Sequence, residues 1–443
     1  MHSKNNKLAI RMLVAMVLGI LIGLVFMTIR ENVGAESQLW QTINKLLFQD
    51  ITAPGAESAL GLFYIVGQLF IRSLQLVIVP MVFCSIVIAI GNITDAATLG
   101  RVSAKTFGMF LLTSLVALLM AGVAGLVAYS MGAFNVVLEG VTASGGSTGA
   151  NPLNVILNII PSNIGATFSV NNSVLAVVFL AVGCGLCINK LNLGSSSVVR
   201  KACKELSDII VVFLNFIVEK FGPIAIFMLL CRTFATYGIT YLQPALSYVV
   251  LTVVLLLAYL FIGYPLILAL MTRLNPIVFI RKIFKVMVFG FSTSSSAATL
   301  PLNINTNKKE LGVDGQIASY VLPLGMTINM DGTAIMQVVA TLFLAGVGGY
   351  NVSVYQLAMI MMLALIASAG TPAAPGAGAI ILFTILSGVG FTGEAAMMGY
   401  ALILAINRPI EMLVTSLNCV GDSVAAIVVA KSEGKLDEKT FNS

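Results

Sequence analysis

The stretch LGMTINMDGTA, residues 324–334, places Asn329 and Asp331 in one of the most apolar parts of the chain. The whole sequence has 443 residues, of which 58% are hydrophobic and 9% are charged. A soluble domain has about 25% charged residues, so this composition predicts an integral membrane protein. Ionisable groups inside a membrane are costly and are functional hypotheses by default, and the carboxylate of Asp331 therefore needs an explanation.

Apolar runs recur from residue 9 to residue 430, each long enough to cross a hydrocarbon core of about 30 Å. They predict an all-α polytopic membrane protein, because only helices and closed barrels satisfy their backbone in lipid. Six ordinary spans are expected near 9–29, 60–92, 105–131, 153–189, 208–234 and 245–272. The first span is too long for a signal peptide and lacks a cleavage site, so we expect it to be retained.

Basic residues cluster in short loops, beginning with Lys4 and Lys7 and ending with Lys435 and Lys439. By the positive-inside rule this pattern predicts that both termini are cytoplasmic, in the plasma membrane or, in a prokaryote, the cytoplasmic membrane. The net charge of +6 is thereby explained without nucleic acid as a partner. With one histidine, His2, scattered cysteines and no nucleotide-binding loop, the sequence does not predict an enzyme or an ATP-driven pump.

The C-terminal third is interrupted repeatedly by small polar residues, Gly and Pro, as in FSTSSSAATLP (291–301) and SAGTPAAPGAGA (368–379). Each of these tips lies between two apolar arms, 276–290 with 300–306 and 354–367 with 380–395. Backbone N–H and C=O groups that lose their helical hydrogen bonds within a membrane are tolerated only inside protein or at a polar cavity. A pair of such interrupted segments indicates inverted repeats around a binding site. The alternative is two ordinary helices with kinks.

Three carboxylates lie in these apolar surroundings: Asp331, Glu411 and Asp422. Amides and hydroxyls surround them in the sequence, and oxygen-rich sites without His or Cys suit a hard monovalent cation such as Na⁺. The alternative is a structural hydrogen-bond network. On the last helix the spacing of Glu411, Val414, Thr415, Asn418 and Asp422 puts these side chains on one stripe.

LGMTINMDGTA, the two tips and SLNCVGDS (416–423) together resemble the dicarboxylate/amino acid:cation symporters, a family of glutamate transporters and neutral amino acid exchangers. The resemblance extends to LQLVIVPMVF (74–83), LGRV (99–102) and PIAIF (223–227). It implies a homotrimeric elevator-type transporter in membrane lipid, with eight spans and two re-entrant hairpins per protomer. The resemblance divides the chain into four regions: spans one and two of a scaffold (1–104), span three of a transport domain (105–135), spans four and five of the scaffold (136–240) and the core of the transport domain (241–443). This core would contain span six, hairpin one (276–306), span seven (315–345), hairpin two (354–395) and span eight (396–430).

The resemblance also implies three sites for co-transported Na⁺. The first consists of Asp331, Asn329, Thr113, Ser114 and the Phe110 carbonyl. The second consists of Asp422 with the backbone of Gly325, Asn329 and Asn418, and the third of carbonyls of Thr327, Ser368, Ala369 and Thr371.

The implied substrate site comprises Ser294, Ser295, Ser296, Met330, Thr333, Ala374, Gly378, Glu411, Val414, Thr415 and Asn418. Glu411 stands where the family has the Asp that holds the substrate ammonium. Val414 stands where members with acidic substrates have an Arg, and a buried carboxylate left beside it costs roughly 3–5 kcal/mol. Ser294 likewise replaces an Arg, and Asn407 replaces an Asp.

The expected function is therefore Na⁺-coupled uptake of a small neutral L-amino acid such as serine, alanine or threonine. The alternatives within the family are a cationic or larger neutral amino acid, cystine or a dicarboxylate, and outside transport a channel. Arg232, near the end of the fifth span, is expected to extend to the cytoplasmic or domain boundary.

Overall fold

The computed structural model describes residues 2–53, 55–91, 96–135, 160–169, 174–191, 193, 197–238, 242–371 and 376–443. Within these ranges every regular element is a helix, which confirms the all-α class. Among the described residues, seven helical stretches are long and apolar enough to cross a membrane: Val14–Val33, Leu62–Ile88, Arg101–Ser130, Val198–Thr236, Gln243–Thr272, Gly315–Val347 and Arg408–Ser432. The count of eight spans stays a prediction, because residues 153–159 and 170–173 of the expected fourth span lie outside the described residues.

The first half of the chain contains α1 His2–Val33, α2 Gln38–Ile43, α3 Leu62–Gln75, α4 Ile78–Gly91, α5 Ala96–Ser130, α6 Ile164–Ser169, α7 Val174–Lys190, α8 Val198–Phe216 and α9 Gly222–Tyr237. The second half contains α10 Leu242–Ala258, α11 Tyr264–Thr272, α12 Pro276–Thr293, α13 Ser296–Lys309, α14 Gly315–Ile328, α15 Asp331–Val347, α16 Val354–Ala369, α17 Ala377–Val389, α18 Glu394–Ile406, α19 Arg408–Ser432 and α20 Glu438–Asn442. Short π-helical segments at Ile217–Phe221 and Tyr259–Gly263 join the helices on both sides without a break, and a third at Asn44–Phe48 continues α2.

Two helix-turn-helix units occupy the positions of the predicted hairpins. In the first, α12 and α13 pack together around Ser294, which has a left-handed backbone with φ of 49°. Ser295 caps α13 by accepting from the Ala298 amide, so a side chain of the turn satisfies an amide that the turn frees, and Asn275 caps the other end of the hairpin at the start of α12. In the second, α16 begins with a capping box and packs on α17, and the tip at 372–375 lies outside the described residues.

The last two spans are broken rather than continuous. The seventh ends as α14 at Ile328 and resumes as α15 at Asp331. The prediction of a single continuous eighth span over 396–430 is wrong, because the structure divides this stretch into α18 and α19 at Asn407. Pro409 at the start of α19 lacks the amide hydrogen that would continue the helix from α18.

Helix α15 is the centre of the molecule, and every one of its residues is buried. It packs against α5, α10, α16 and α19. Helix α1 instead packs on α9, which also contacts α3 and α18. The polar motif at the start of α15 is therefore enclosed by protein on all sides, as expected of irregular backbone at membrane depth.

Arg232 is buried within the structure, and its expected extension to the cytoplasmic or domain boundary stays a prediction. Its side chain is 7% exposed, and its Nε donates to the Phe48 carbonyl at 2.7 Å. The guanidinium also lies 5.0 Å from the centre of the Tyr64 ring. Both partners belong to the segment between α1 and α3 and its flanks, so Arg232 ties this connection to α9.

Candidate functional site

The carboxylate of Asp331 is fully buried where α14 gives way to α15. The Ser114 hydroxyl donates to its Oδ1 at 2.5 Å, and the Tyr264 hydroxyl donates to its Oδ2 at 2.8 Å. Thr113 Oγ1 lies 3.1 Å from the Phe110 carbonyl and 3.2 Å from Asn329 Oδ1. The residues predicted for the first cation site thus come together, across a contact between α5 and the break in the seventh span.

Asp422 forms a second buried cluster beside the first. Asn329 Nδ2 donates to Asp422 Oδ1 at 3.2 Å and its Oδ1 accepts from Thr113, so this amide joins the second cluster to the first. A Cβ on Gly325 would lie 2.4 Å from Asp422 Oδ1, and only glycine permits this approach of α14 to α19. Asn418 Oδ1 accepts from the Gly332 amide at 2.8 Å. Asp422, Gly325 and Asn329 are therefore neighbours, and a cation site that uses the backbone of Gly325, Asn329 and Asn418 stays a prediction.

Neither carboxylate has a cationic side chain as its partner. Among the residues that the structure describes, no Lys, Arg or His forms an ion pair with Asp331 or Asp422. Two buried carboxylates need neutralisation, and the atoms on Asp331 are the hydroxyl oxygens of Ser114 and Tyr264. This arrangement suits a small hard cation.

The third predicted set is not joined by hydrogen bonds in the structure. The hydroxyls of Thr327, Ser368 and Thr371 each donate to a carbonyl of their own helix. Ala369 ends α16, and Ala374 lies outside the described residues. A cation site under this tip remains a prediction.

Helices α13, α15, α17 and α19 converge on the predicted substrate residues. Ser294 and Ser296 are buried at the tip of hairpin one, and a Cβ on Gly290 would lie 3.3 Å from Ser416 Cα, so the arm next to this tip packs closely on α19. Asn418 Nδ2 lies 3.2 Å from both Thr333 Oγ1 and Met330 Sδ. Hairpin two closes the group, because a Cβ on Gly378 would lie 3.2 Å from Thr333 Cγ2.

Several partners in the site were missed by sequence reasoning. The fully buried Gln337 donates from Nε2 to the Gly378 carbonyl at 3.1 Å, and the Tyr259 hydroxyl donates to the Thr113 carbonyl at 2.6 Å. Tyr259 begins the π-helical segment Tyr259–Gly263 and Tyr264 follows it, and the extra residue of this segment shifts the register of the helix face. A buried glutamine in an apolar helix was the only signal the sequence offered.

Arg408 is the most consequential omission. Its Nη1 lies 3.7 Å from Glu411 Oε2, and the two side chains are 11% and 9% exposed. The Ala379 amide of hairpin two donates to Glu411 Oε1 at 3.4 Å. Val414 lies on the other flank of Glu411 and is buried, and the Thr415 hydroxyl donates to the Glu411 carbonyl. A guanidinium is therefore present beside the expected ammonium-binding residue, although positions 294 and 414 carry none.

Buried oxygen clusters between interrupted helices of a polytopic helical membrane protein define an ion-coupled solute transporter. Residues 8–432 match the model of the sodium:dicarboxylate symporter family, so the chain belongs to that family, whose members are transporters.

Three relatives illustrate the breadth of the family. The proton/glutamate-aspartate symporter of Escherichia coli is 28% identical and covers 98% of this chain and 95% of its own. The C4-dicarboxylate transport protein of Polynucleobacter asymbioticus is 29% identical over 89% of this chain and 90% of its own. The proton/sodium-glutamate symport protein of Bacillus caldotenax is 25% identical over 84% of this chain and 88% of its own.

Proposed function

We propose that this protein is a secondary active symporter that couples Na⁺ entry to uptake of a small carboxylate-bearing solute. The carrying observation is the fully buried Asp331, whose carboxylate meets the hydroxyl oxygens of Ser114 and Tyr264 and no cationic side chain among the described residues. A bound Na⁺ neutralises such a carboxylate, and the ion has hard-ligand preferences that this cluster meets. The proton/sodium-glutamate relative supports Na⁺, whereas the proton/glutamate-aspartate relative makes a proton the second candidate for the coupled ion.

The substrate that we propose is an acidic amino acid or a C4-dicarboxylate. The names of the three relatives support this class, and so does the buried guanidinium of Arg408. The expectation of a neutral substrate rested on the missing cations at Ser294 and Val414, and Arg408 removes that premise. A small neutral amino acid remains the second candidate, favoured by the apolar Val414 and by the neutralisation of Arg408 within its pair with Glu411.

The wider arrangement is also a proposal. We take residues 1–104 and 136–240 as a trimeric scaffold and residues 105–135 and 241–443 as a transport domain that moves as an elevator, with both termini cytoplasmic. The packing of α5 on α15 and α19 supports this division, as does the separate packing of α1 on α9. Hairpin two is the proposed gate, since it contacts Glu411 and Thr333 through Ala379 and Gly378.

Reconstitution into proteoliposomes tests the proposal. Radiolabelled aspartate, succinate and serine are offered with an inward Na⁺ gradient, an inward proton gradient, or neither. An inward Na⁺ gradient is expected to drive accumulation of an acidic substrate above its equilibrium level. Accumulation driven by protons in Na⁺-free buffer would exclude Na⁺ coupling, and unsaturable flux without uphill accumulation would indicate a channel.

A further inference from the structure

A cavity of about 180 Å³ lies where α3 and α9 meet α18, away from the substrate and cation sites. Helices α3 and α9 belong to the proposed scaffold, whereas α18, which lines the cavity with Met397, Met398 and Ala401, belongs to the proposed transport domain. A cavity of about 150 Å³ is large enough to bind a molecule the size of benzene. A small solute therefore fits between the two parts that are proposed to move against each other.

Two side chains of opposite charge, Arg232 and Asp50, line this cavity. Arg232 is 7% exposed and is held in place, because its Nε donates to the Phe48 carbonyl and its guanidinium lies on the Tyr64 ring. The Asp50 carboxylate accepts from the amide and the hydroxyl of Thr52, at 2.7 and 2.6 Å. A fixed cation and a fixed anion thus border one small space, and neither takes part in the proposed coupling of ion and substrate.

The cavity is open at one end and closed at the other. Asp50 and Tyr64 are partly exposed, whereas Arg232 and Met398 are buried. Asp50 lies in the connection between α1 and α3, outside the apolar spans, so the open end is at the membrane surface. In the proposed topology this end faces the outside, and a water-soluble ligand can enter there.

We propose that this cavity is a regulatory site for a zwitterionic amino acid with an apolar side chain. The assignment of its walls to two domains rests on the proposed function. The ligand carboxylate binds the Arg232 guanidinium, its ammonium binds the Asp50 carboxylate, and its side chain packs on Met397 and Met398. Thioether side chains are flexible and polarisable, so they fit apolar groups of different shapes.

The lining selects for both charges of the ligand. A ligand with a carboxylate alone meets the repulsion of Asp50, and one with an ammonium alone meets the repulsion of Arg232. A zwitterion with an apolar side chain pairs with both and also covers the methionines. Because it contacts α9 and α18 together, it binds the arrangement in which these helices are adjacent. It therefore stabilises that arrangement and slows the movement on which uptake depends.

Equilibrium binding to the purified full-length protein, measured by calorimetry in detergent, tests the chemistry of the site. The probe is L-leucine, compared with 4-methylpentanoate, which lacks the ammonium, and 3-methylbutylamine, which lacks the carboxylate. Leucine is expected to bind at least about tenfold more tightly than either analogue. Equal binding of leucine and one analogue would show that the two charges are not both read.

Variants locate the binding in this cavity. Arg232→Gln should weaken leucine binding at least about tenfold, because the ligand carboxylate loses its partner. Arg232 also supports the fold, so Ala401→Leu, which fills the cavity without changing a charge, is measured too and should cause a similar loss. Ala166→Leu, at an exposed alanine of α6, is the matched control. Glu411→Gln tests whether leucine occupies the substrate site instead, and it should bind leucine as wild type does.

Uptake in proteoliposomes tests the regulatory role. Leucine in excess over its Kd should suppress Na⁺-driven accumulation of the acidic substrate in wild type but not in Ala401→Leu, and more substrate should not relieve the suppression.

The inference is overturned if leucine does not bind, if Ala401→Leu still binds it, if Glu411→Gln loses it, or if binding leaves uptake unchanged. None of these results affects the proposed function, which depends on gradient-driven accumulation without leucine. Leucine binding that is lost in Ala401→Leu, in a protein that accumulates no substrate, would instead overturn the proposed function and support the site.

Discussion

At the scale of single residues, Asp331 shows how a costly group becomes useful. Its carboxylate accepts hydrogen bonds from Ser114 and Tyr264, but hydrogen bonds alone do not remove a buried charge. A cation that enters with the substrate does neutralise this charge, so Asp331 can couple the transport of the cation to the transport of the substrate.

We expect Asp331→Asn to reduce Na⁺-driven uptake to background while the protein remains folded. The amide keeps the shape of the side chain but lacks the charge that holds the ion, and it presents a donor to Ser114 or Tyr264, which costs about 1–3 kcal/mol. Uptake is measured in proteoliposomes across a Na⁺ titration, with Asp208→Asn on the exposed face of α8 as control. Wild-type uptake at saturating Na⁺ would exclude Asp331 as a required ligand.

Arg408 and Val414 allow a residue-scale test of where the guanidinium is needed. They flank Glu411 from positions three before and three after it, about 60° to either side on the helix. In Arg408→Val/Val414→Arg we expect aspartate binding to recover to within roughly tenfold of wild type, because a guanidinium again faces the site. The single variants Arg408→Val and Val414→Arg are the controls. If the double variant binds aspartate no more tightly than Arg408→Val, a guanidinium at position 414 cannot replace the one at position 408.

At the scale of elements, hairpin two depends on a close contact between α17 and α15. A Cβ on Gly378 would lie 3.1 Å from Met336 Cε and 3.2 Å from Thr333 Cγ2. Gly378→Val should therefore hold the hairpin away from the site and lower uptake at least tenfold, an overpacking effect of about 1–3 kcal/mol. Gly183→Ala, where an added Cβ meets nothing within 4 Å, should transport normally. Normal uptake by Gly378→Val would contradict tight closure.

The end of α19 is fastened to the start of α5 by a charge cluster outside the spans. Arg101 donates to both carboxylate oxygens of Glu433, at 2.8 to 3.1 Å, and Lys105 donates to Oε1 at 2.5 Å. These hydrogen bonds lower the pKa of Glu433 from 4.5 to about 2, and the bond from Arg101 has the largest effect. The interaction therefore contributes stability above pH 4.5, and this contribution is lost as the pH falls towards 2.

Glu433→Gln is expected to lower the thermal midpoint at neutral pH, by an amount that shrinks once the pH falls below 4.5. Thermal unfolding in detergent, followed by circular dichroism across a pH series, measures the difference. The exposed Glu57→Gln should follow the wild-type protein throughout. A difference that is independent of pH would show that Glu433 acts through packing and not through its charge.

At the scale of the whole molecule, the elevator proposal requires that the transport domain move relative to the scaffold. Gly370 of hairpin two meets α4, since a Cβ on Gly370 would lie 3.6 Å from Val82 Cγ1. In contrast, Gly67 and Leu229 belong to α3 and α9, which both lie in the proposed scaffold, and a Cβ on Gly67 would lie 2.9 Å from Leu229 Cγ. These two contacts form a matched pair, one across the proposed boundary and one within the scaffold.

Oxidation of Val82→Cys/Gly370→Cys is expected to abolish uptake and reduction to restore it, because a disulfide between these two contacting positions would hold α4 and hairpin two together. Oxidation of Gly67→Cys/Leu229→Cys should leave uptake unchanged. Both pairs are made with Cys84 replaced by alanine and Cys187 by serine, and cross-linking is verified by thiol titration. Full uptake by an oxidised Val82–Gly370 pair would contradict movement at this boundary.

The sequence by itself determined the helical membrane class, the two interrupted hairpins and the unusual carboxylates Asp331 and Asp422, whereas the residues expected around these carboxylates came from the family resemblance. These features depend on local properties: the length of apolar runs, the breaks made by Gly and Pro, and the 3.6-residue spacing that aligns Glu411 with Asn418. Membrane burial adds a strong constraint, because a polar residue in lipid must face a partner, and this made Asp331 visible without a structure.

Only the tertiary structure decided which groups meet. The π-helical segment at Tyr259–Gly263 sets the register that brings Tyr264 to Asp331, and no local pattern announces it. The break at Asn407 likewise turned one expected span into two helices and put Arg408 at the start of α19, beside Glu411. Position along a chain does not fix where a long side chain points, since its direction depends on the packing of helices far away in sequence. The charge balance of the substrate site, and with it the substrate class that we propose, therefore follows from the packing of α17 and α19.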